Sequence, residues 1–269
     1  MAKRIYEHNF TLPLVVALVV LGILLGVYFG MDGQKQPPAE TTTRAPESTA
    51  EPQKEEPMPP VSFKADLSAY EDAMTARSED YLLLVNKHTP LSASHKPTEL
   101  TKVKDARKDI ELEATAARAL EAMFIEMRAE GFSDVFVTSA YRSYDYQVWL
   151  FNYYIGEEKA ADPTLSDAEA RERVLHYSAA PGTSEHQSGL CVDLMTSGMR
   201  ELDESFADYP VFDWLTENAW KFGFILRFPK DKVDITLYDY EPWHYRFVGR
   251  DAAYEIWSQG LCLEEYLAK

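Results

Sequence analysis

Hydrophobic positions fall along this chain in three regimes. From Thr11 to Gly30 (TLPLVVALVVLGILLGVYFG) the run is almost wholly apolar and carries no charge over 20 residues. That length crosses a hydrocarbon core of about 30 Å at about 1.5 Å per residue, so a membrane-spanning helix is predicted. Residues 31–62 then hold seven prolines (37, 38, 46, 52, 57, 59 and 60) among Thr, Glu, Gln and Ser. With so little apolar surface the segment cannot offset its ordering entropy, and it reads as a disordered or polyproline-like stalk. From residue 63 to 269 apolar positions become periodic, which predicts the globular part.

Within that part, Glu111–Glu130 has Leu112, Ala116, Leu120, Met123 and Met127 at helical spacing, and Gly131 supplies a left-handed stop. Asp134–Ala140 is β-rich. Tyr144–Ile155 reads as a helix, as does Asp167–Ser178 with Ser166 as its N-cap. Leu190–Met195 reads as a strand, Val211–Phe222 as a helix ended by Gly223, and Phe224–Phe228 and Trp243–Val248 as strands. Helices gather early, strands are short and come later, and βαβ alternation is scarce. The expectation is an α+β fold with an antiparallel sheet and flanking helices.

Lys3 and Arg4 precede the apolar run and, by the positive-inside rule, keep the N-terminus cytoplasmic and the rest of the chain outside. A cleaved signal peptide is the competing reading, but no A-x-A-like site follows the run. The expected location is therefore the cell membrane, single-pass, with the globular domain extracytoplasmic; a monomeric ectodomain is the default. The formal net charge of −17 repels nucleic acid, whose phosphates need Lys and Arg. Two cysteines, Cys191 and Cys262, are too few for a disulfide scaffold; they form one bridge or two buried thiols.

Candidate chemistry concentrates in two segments. Five histidines lie beyond the apolar run: His88, His95, His176, His186 and His244. In PGTSEHQSGLCVD (181–193) a Pro-Gly turn and a Ser-rich loop present His186, and an apolar strand carries Asp193. An aspartate there needs a hydrogen bond, a counter-charge or a metal; a Lys or Arg partner serves as well as a metal. In EPWHYR (241–246), Glu241 stands three residues before His244. Two histidines and an aspartate give zinc three ligands and leave a position for water. A separate carboxylate, for which Glu241 is the natural choice, then takes the water's proton.

These motifs resemble the VanY-type D-alanyl-D-alanine carboxypeptidases, a zinc metallopeptidase family of bacterial cell walls. The likeness starts near YLLLVNKHTPL (81–91) and runs through SAYRSY (139–144) with Gln147. It continues through PGTSEHQSGLCVDL and GFILRFP to EPWHYRFVG (241–249). The resemblance implies one zinc per chain on His186, Asp193 and His244, with Glu241 as general base. Arg142 would bind the substrate carbonyl and stabilise the oxyanion, while Ser184 and Gln147 would line the substrate cleft. The implied substrate is the peptidoglycan stem peptide, which loses its C-terminal D-Ala. Cys191 stands where the family usually has a small residue such as alanine. Strand alternation points it to the face of Asp193, where a thiol could compete as a ligand.

The chain lacks the Ser-x-x-Lys and Lys-Thr-Gly motifs of serine carboxypeptidases, and the H-E-x-x-H of thermolysin-like proteases. Two alternatives stay open: an L,D-carboxypeptidase acting on tetrapeptide stems, and a non-catalytic wall-binding module.

Overall fold

The computed structural model describes residues 57–269. The predicted membrane segment lies outside the described residues, as does the stalk up to residue 56. No helix among the described residues is long and apolar enough to cross a membrane. Met58 and Val61, at the end of the expected stalk, pack against a cluster of buried side chains that includes Trp220, Ile225, Ile256 and Leu263.

The architecture is α+β with antiparallel sheets, as the patterning predicts. Strands β1 (Leu100–Lys102) and β2 (Glu111–Glu113) form a small hairpin-like sheet. Strands β3 (Val135–Ser139), β4 (Cys191–Thr196), β5 (Phe224–Leu226) and β6 (His244–Phe247) form the main one, in the order β3-β4-β6-β5. All three of its pairings are antiparallel.

The predicted helix over Glu111–Glu130 is shorter at its start. Leu112 pairs with Thr101 across β1–β2 and is fully buried, so backbone pairing and burial outweigh helical spacing there. Helix α1 (Ala114–Ala129) begins after Glu113, whose carboxylate caps it by accepting from the Ala116 N–H at 2.9 Å. Ala116, Leu120, Met123, Phe124 and Met127 form its buried stripe. Helix α2 (Tyr144–Ala161) runs six residues past its expected end, and Ser143 caps it through the Tyr146 N–H. Helix α3 (Asp167–Val174) opens with a full Ser166–Glu169 capping box and stops before the predicted Ser178. Helix α4 (Pro210–Asn218) passes into a 3-10 turn that ends at Gly223, where φ is +84°. A Cβ at Gly223 would sit 2.7 Å from the Phe247 ring, so close packing reinforces the conformational demand for glycine. Helices α5 (Arg250–Ser258) and α6 (Leu263–Leu267) close the chain, and α5 packs on β5.

Strand β4 is the axis of the molecule. All six of its residues are buried, with β3 on one side and β6 on the other. A strand covered on both faces reads as a continuous apolar run, which leaves Asp193 as the exception to be explained.

Candidate active site

Three segments deliver the predicted residues to one place. Asp193, on the central strand, lies opposite Ser139 of β3 and His244 of β6 in the sheet register. The chain leaving β3 continues through Ala140 to Arg142, whose N–H donates to the His186 carbonyl at 3.1 Å. His186 sits in a 3-10 turn (Glu185–Ser188) closed by Gly189 at φ +69°. A Cβ on Gly189 would approach Pro97 to 2.6 Å, so this turn needs glycine for conformation and for space. A backbone bond from the His244 N–H to the Glu241 carbonyl, 3.1 Å, folds Glu241 back beside its own histidine.

The resulting cluster is compact and buried. His186 Nε2 lies 3.2 Å from Asp193 Oδ2, and His244 Nδ1 lies 3.1 Å from Asp193 Oδ1. Glu241 Oε2 is 3.3 Å from the same His244 nitrogen, and its side chain keeps partial solvent access. The other ring nitrogens are tied elsewhere. His186 Nδ1 is 2.6 Å from the Ala140 carbonyl oxygen, which can only accept, so this nitrogen carries the proton. His244 Nε2 is 3.3 Å from the Glu185 carboxylate and donates to it for the same reason. Each imidazole therefore turns its other nitrogen toward Asp193, the orientation that metal-ligating histidines take.

These residues fit a zinc ion. Asp193 Oδ1 is buried and has no hydrogen-bond partner, although His244 Nδ1 lies 3.1 Å away. Two atoms at that distance without hydrogen-bond alignment suit a shared third point. The site also favours positive charge. Burial opposes ionisation of His186 and Arg142 repels it, yet Asp193 and Cys191 raise its pKa to about 9. His244 is likewise raised against its own burial, by Cys191, Asp193 and Glu185. Burial pushes the Asp193 carboxyl up, but the two imidazoles hold it well below the carboxylate range.

Arg142 reaches the rim, its Nη2 3.9 Å from Asp193 Oδ2. Its Nη1 donates to Gln147 Oε1 at 3.2 Å, and Gln147 Nε2 donates to the Ala179 carbonyl at 2.8 Å. Gln147 thus braces Arg142 from α2. Ser184 is buried at the start of the 3-10 turn and does not cap it.

Beneath the cluster lies a charge network that patterning did not single out. Buried Glu185 accepts from Arg227 Nε and Arg246 Nη1, both at 2.7 Å. Arg227 also makes a two-point pair with Glu264 of α6, at 2.7 and 2.8 Å. Arg246 Nη2 donates to the carbonyls of Tyr81 and Leu83. Burial raises the Glu185 pKa, and the two guanidiniums more than reverse that. The signal was present in the sequence: Arg227 and Arg246 are charges in apolar strand segments, the same anomaly that marks Asp193.

The family model for VanY, D-alanyl-D-alanine carboxypeptidase, matches residues 109–250. The chain belongs to the VanY family. A D-alanyl-D-alanine carboxypeptidase of Enterococcus faecalis is 39% identical over 186 residues, which cover 69% of this chain and 65% of that protein. Among solved structures, a mutant of the vancomycin-resistance D,D-pentapeptidase VanY from a VanB-type cassette, in complex with Zn(II), is 38% identical with a TM-score of 0.59. That match covers 70% of this chain and 99% of the other. The LdcB LD-carboxypeptidase is 33% identical with a TM-score of 0.62, covering 73% and 98%. VanY membership makes the protein a zinc metallocarboxypeptidase by family.

Proposed function

We propose that this VanY-family protein removes the C-terminal D-Ala from D-Ala-D-Ala-ending peptidoglycan stem peptides, tethered to the membrane by the predicted segment 11–30. The observation that carries the reading is the convergence of His186 Nε2, Asp193 and His244 Nδ1, each histidine with its other nitrogen already engaged. These three residues would hold the zinc. When bound, zinc polarises the scissile carbonyl and lowers the pKa of a water to about 7.

The chain's own groups supply the rest. Glu241 sits 3.3 Å from a ligand nitrogen, without an Arg or Lys ion pair among the described residues and partly open to solvent. It takes a proton from the attacking water and passes it to the departing D-Ala amine. Arg142, permanently charged and braced by Gln147, faces the carbonyl oxygen and stabilises the negative charge that develops there. Ser184 and Gln147 border the space that the peptide enters. Burial of the histidines and Asp193 excludes bulk water, which strengthens each of these interactions.

Glu241→Ala tests the mechanism. It is expected to retain zinc while hydrolysis falls about 10²- to 10⁴-fold, the usual range for a general base. Near-normal turnover in that variant would remove Glu241 from the mechanism.

A further inference from the structure

The buried thiol of Cys191 has surroundings unlike those of an ordinary core cysteine. Such a cysteine is a small hydrophobe among apolar neighbours. Cys191 is fully buried, yet its sulfur lies with two imidazoles: ligand atoms of His186, Cys191 and His244 are all within 4.8 Å of one another. The strand explains why. Cys191 is two residues before Asp193 on β4, so both side chains leave the same face. In the register Asp193 lies opposite His244 and Cys191 opposite Arg246, two residues further along β6. The turn carrying His186 then closes over both.

We propose that Cys191 Sγ is a fourth protein ligand to the metal, making the resting set two imidazole nitrogens, a carboxylate and a thiolate. The proposal rests on the ligand reading given above and extends it. Four observations support it. Both imidazoles have their remote nitrogens engaged, His186 Nδ1 by the Ala140 carbonyl and His244 Nε2 by Glu185, which leaves one nitrogen of each ring for a metal. Asp193 Oδ1, deeply buried, has no hydrogen-bond partner although His244 Nδ1 lies 3.1 Å away. Bond lengths of about 2.0–2.3 Å put donors on one tetrahedral zinc about 3.5 Å apart, a spacing within the 4.8 Å spread of this group. Thiolate is also the softest donor of the four and the one zinc binds most readily in closed sites.

Metal binding then displaces the thiol proton to solvent as the metal–sulfur bond forms. The consequence for the enzyme is a more closed site than three ligands would make. Water enters either by expansion to five ligands or by release of the sulfur, and the metal shields the thiol from electrophiles. Cys262 is an internal control, because it is equally buried and free but lies at the start of α6 and outside the metal-ligand group.

The test is cobalt(II) added to the metal-free full-length protein. Wild type is expected to show visible d–d bands together with a near-ultraviolet thiolate-to-cobalt charge-transfer band. Cys191→Ala is expected to keep the d–d bands, lose the charge-transfer band, and hold zinc at least ~10-fold more weakly, the least that losing an outer-shell partner costs. Cys262→Ala should keep both features. Visible bands without the charge-transfer band in wild type would overturn the sulfur ligand and leave the three-ligand reading standing. Absence of any bound cobalt would overturn both.

Discussion

Glu185→Gln is the most informative perturbation of the site because it changes one charge and almost no volume. The carboxylate is buried, accepting 2.7 Å bonds from Arg227 and Arg246 on Oε1 and facing His244 Nε2 at 3.3 Å on Oε2. In the variant the amide oxygen stays with the two guanidiniums, since both can only donate. The amide NH₂ then faces His244 Nε2, donor against donor. The ring escapes this clash by moving its proton to Nδ1, the nitrogen nearest Asp193 and Glu241. That removes the lone pair a metal needs. Loss of an outer-shell partner costs about 10- to 100-fold in metal affinity, or about 1.4–2.8 kcal/mol. Stability falls as well. Breaking a buried ion pair costs about 3–5 kcal/mol, and the lower end applies because Arg227 keeps Glu264 and Arg246 keeps two carbonyls. At about 2–4 °C per kcal/mol for a domain of this size, about 3 kcal/mol lowers Tm by roughly 6–12 °C. Zinc competition against a chromophoric chelator and thermal unfolding of the metal-free protein separate the two effects. Glu264→Gln is the control: it weakens the same network without touching His244. Equal zinc affinity in wild type and both variants would refute the orientation argument.

His244→Ala is expected to purify without stoichiometric zinc, and an unaltered zinc content by elemental analysis would remove His244 from the ligand set. Arg142→Lys keeps the positive charge but loses the planar fork, so kcat should drop about 10²- to 10³-fold with zinc content unchanged; an unchanged kcat would contradict an oxyanion role. The Glu264 carboxyl is raised by burial, but its pairing with Arg227 lowers it below its ordinary value. A depressed folded pKa contributes stability above the unfolded value of about 4.3, lost as pH falls through the folded one. The Tm of wild type should therefore fall more steeply in acid than that of Glu264→Gln, and parallel curves would show that the pair contributes nothing.

Much of this was legible in the chain. The α+β class followed from helical spacing early and short apolar runs later, and each strand of the main sheet lies within or one residue beyond its predicted segment. The motifs that place His186, Asp193, His244 and Glu241 side by side are local, and the sheet register makes them neighbours. Hairpin β1–β2 was not legible, because half of its six residues are exposed and its pairing is set by the chain around it. Residues Glu111–Glu113 share the helical spacing of α1, so periodicity alone could not separate them. The Glu185–Arg227–Arg246 network is assembled from three distant segments, and sequence marks such charges as anomalous without naming their partners. Cys191 was placed on the right face by alternation, but its distance to both imidazoles depends on how the 184–188 turn closes.

The central claim is best tested on the full-length, zinc-loaded protein with stem pentapeptide and stem tetrapeptide, with and without a chelator, read by mass spectrometry. The account predicts loss of one alanine from the pentapeptide, abolished by the chelator and restored by zinc. An intact pentapeptide with zinc bound would contradict it, and cleavage confined to the tetrapeptide would keep the metal chemistry but reassign the substrate.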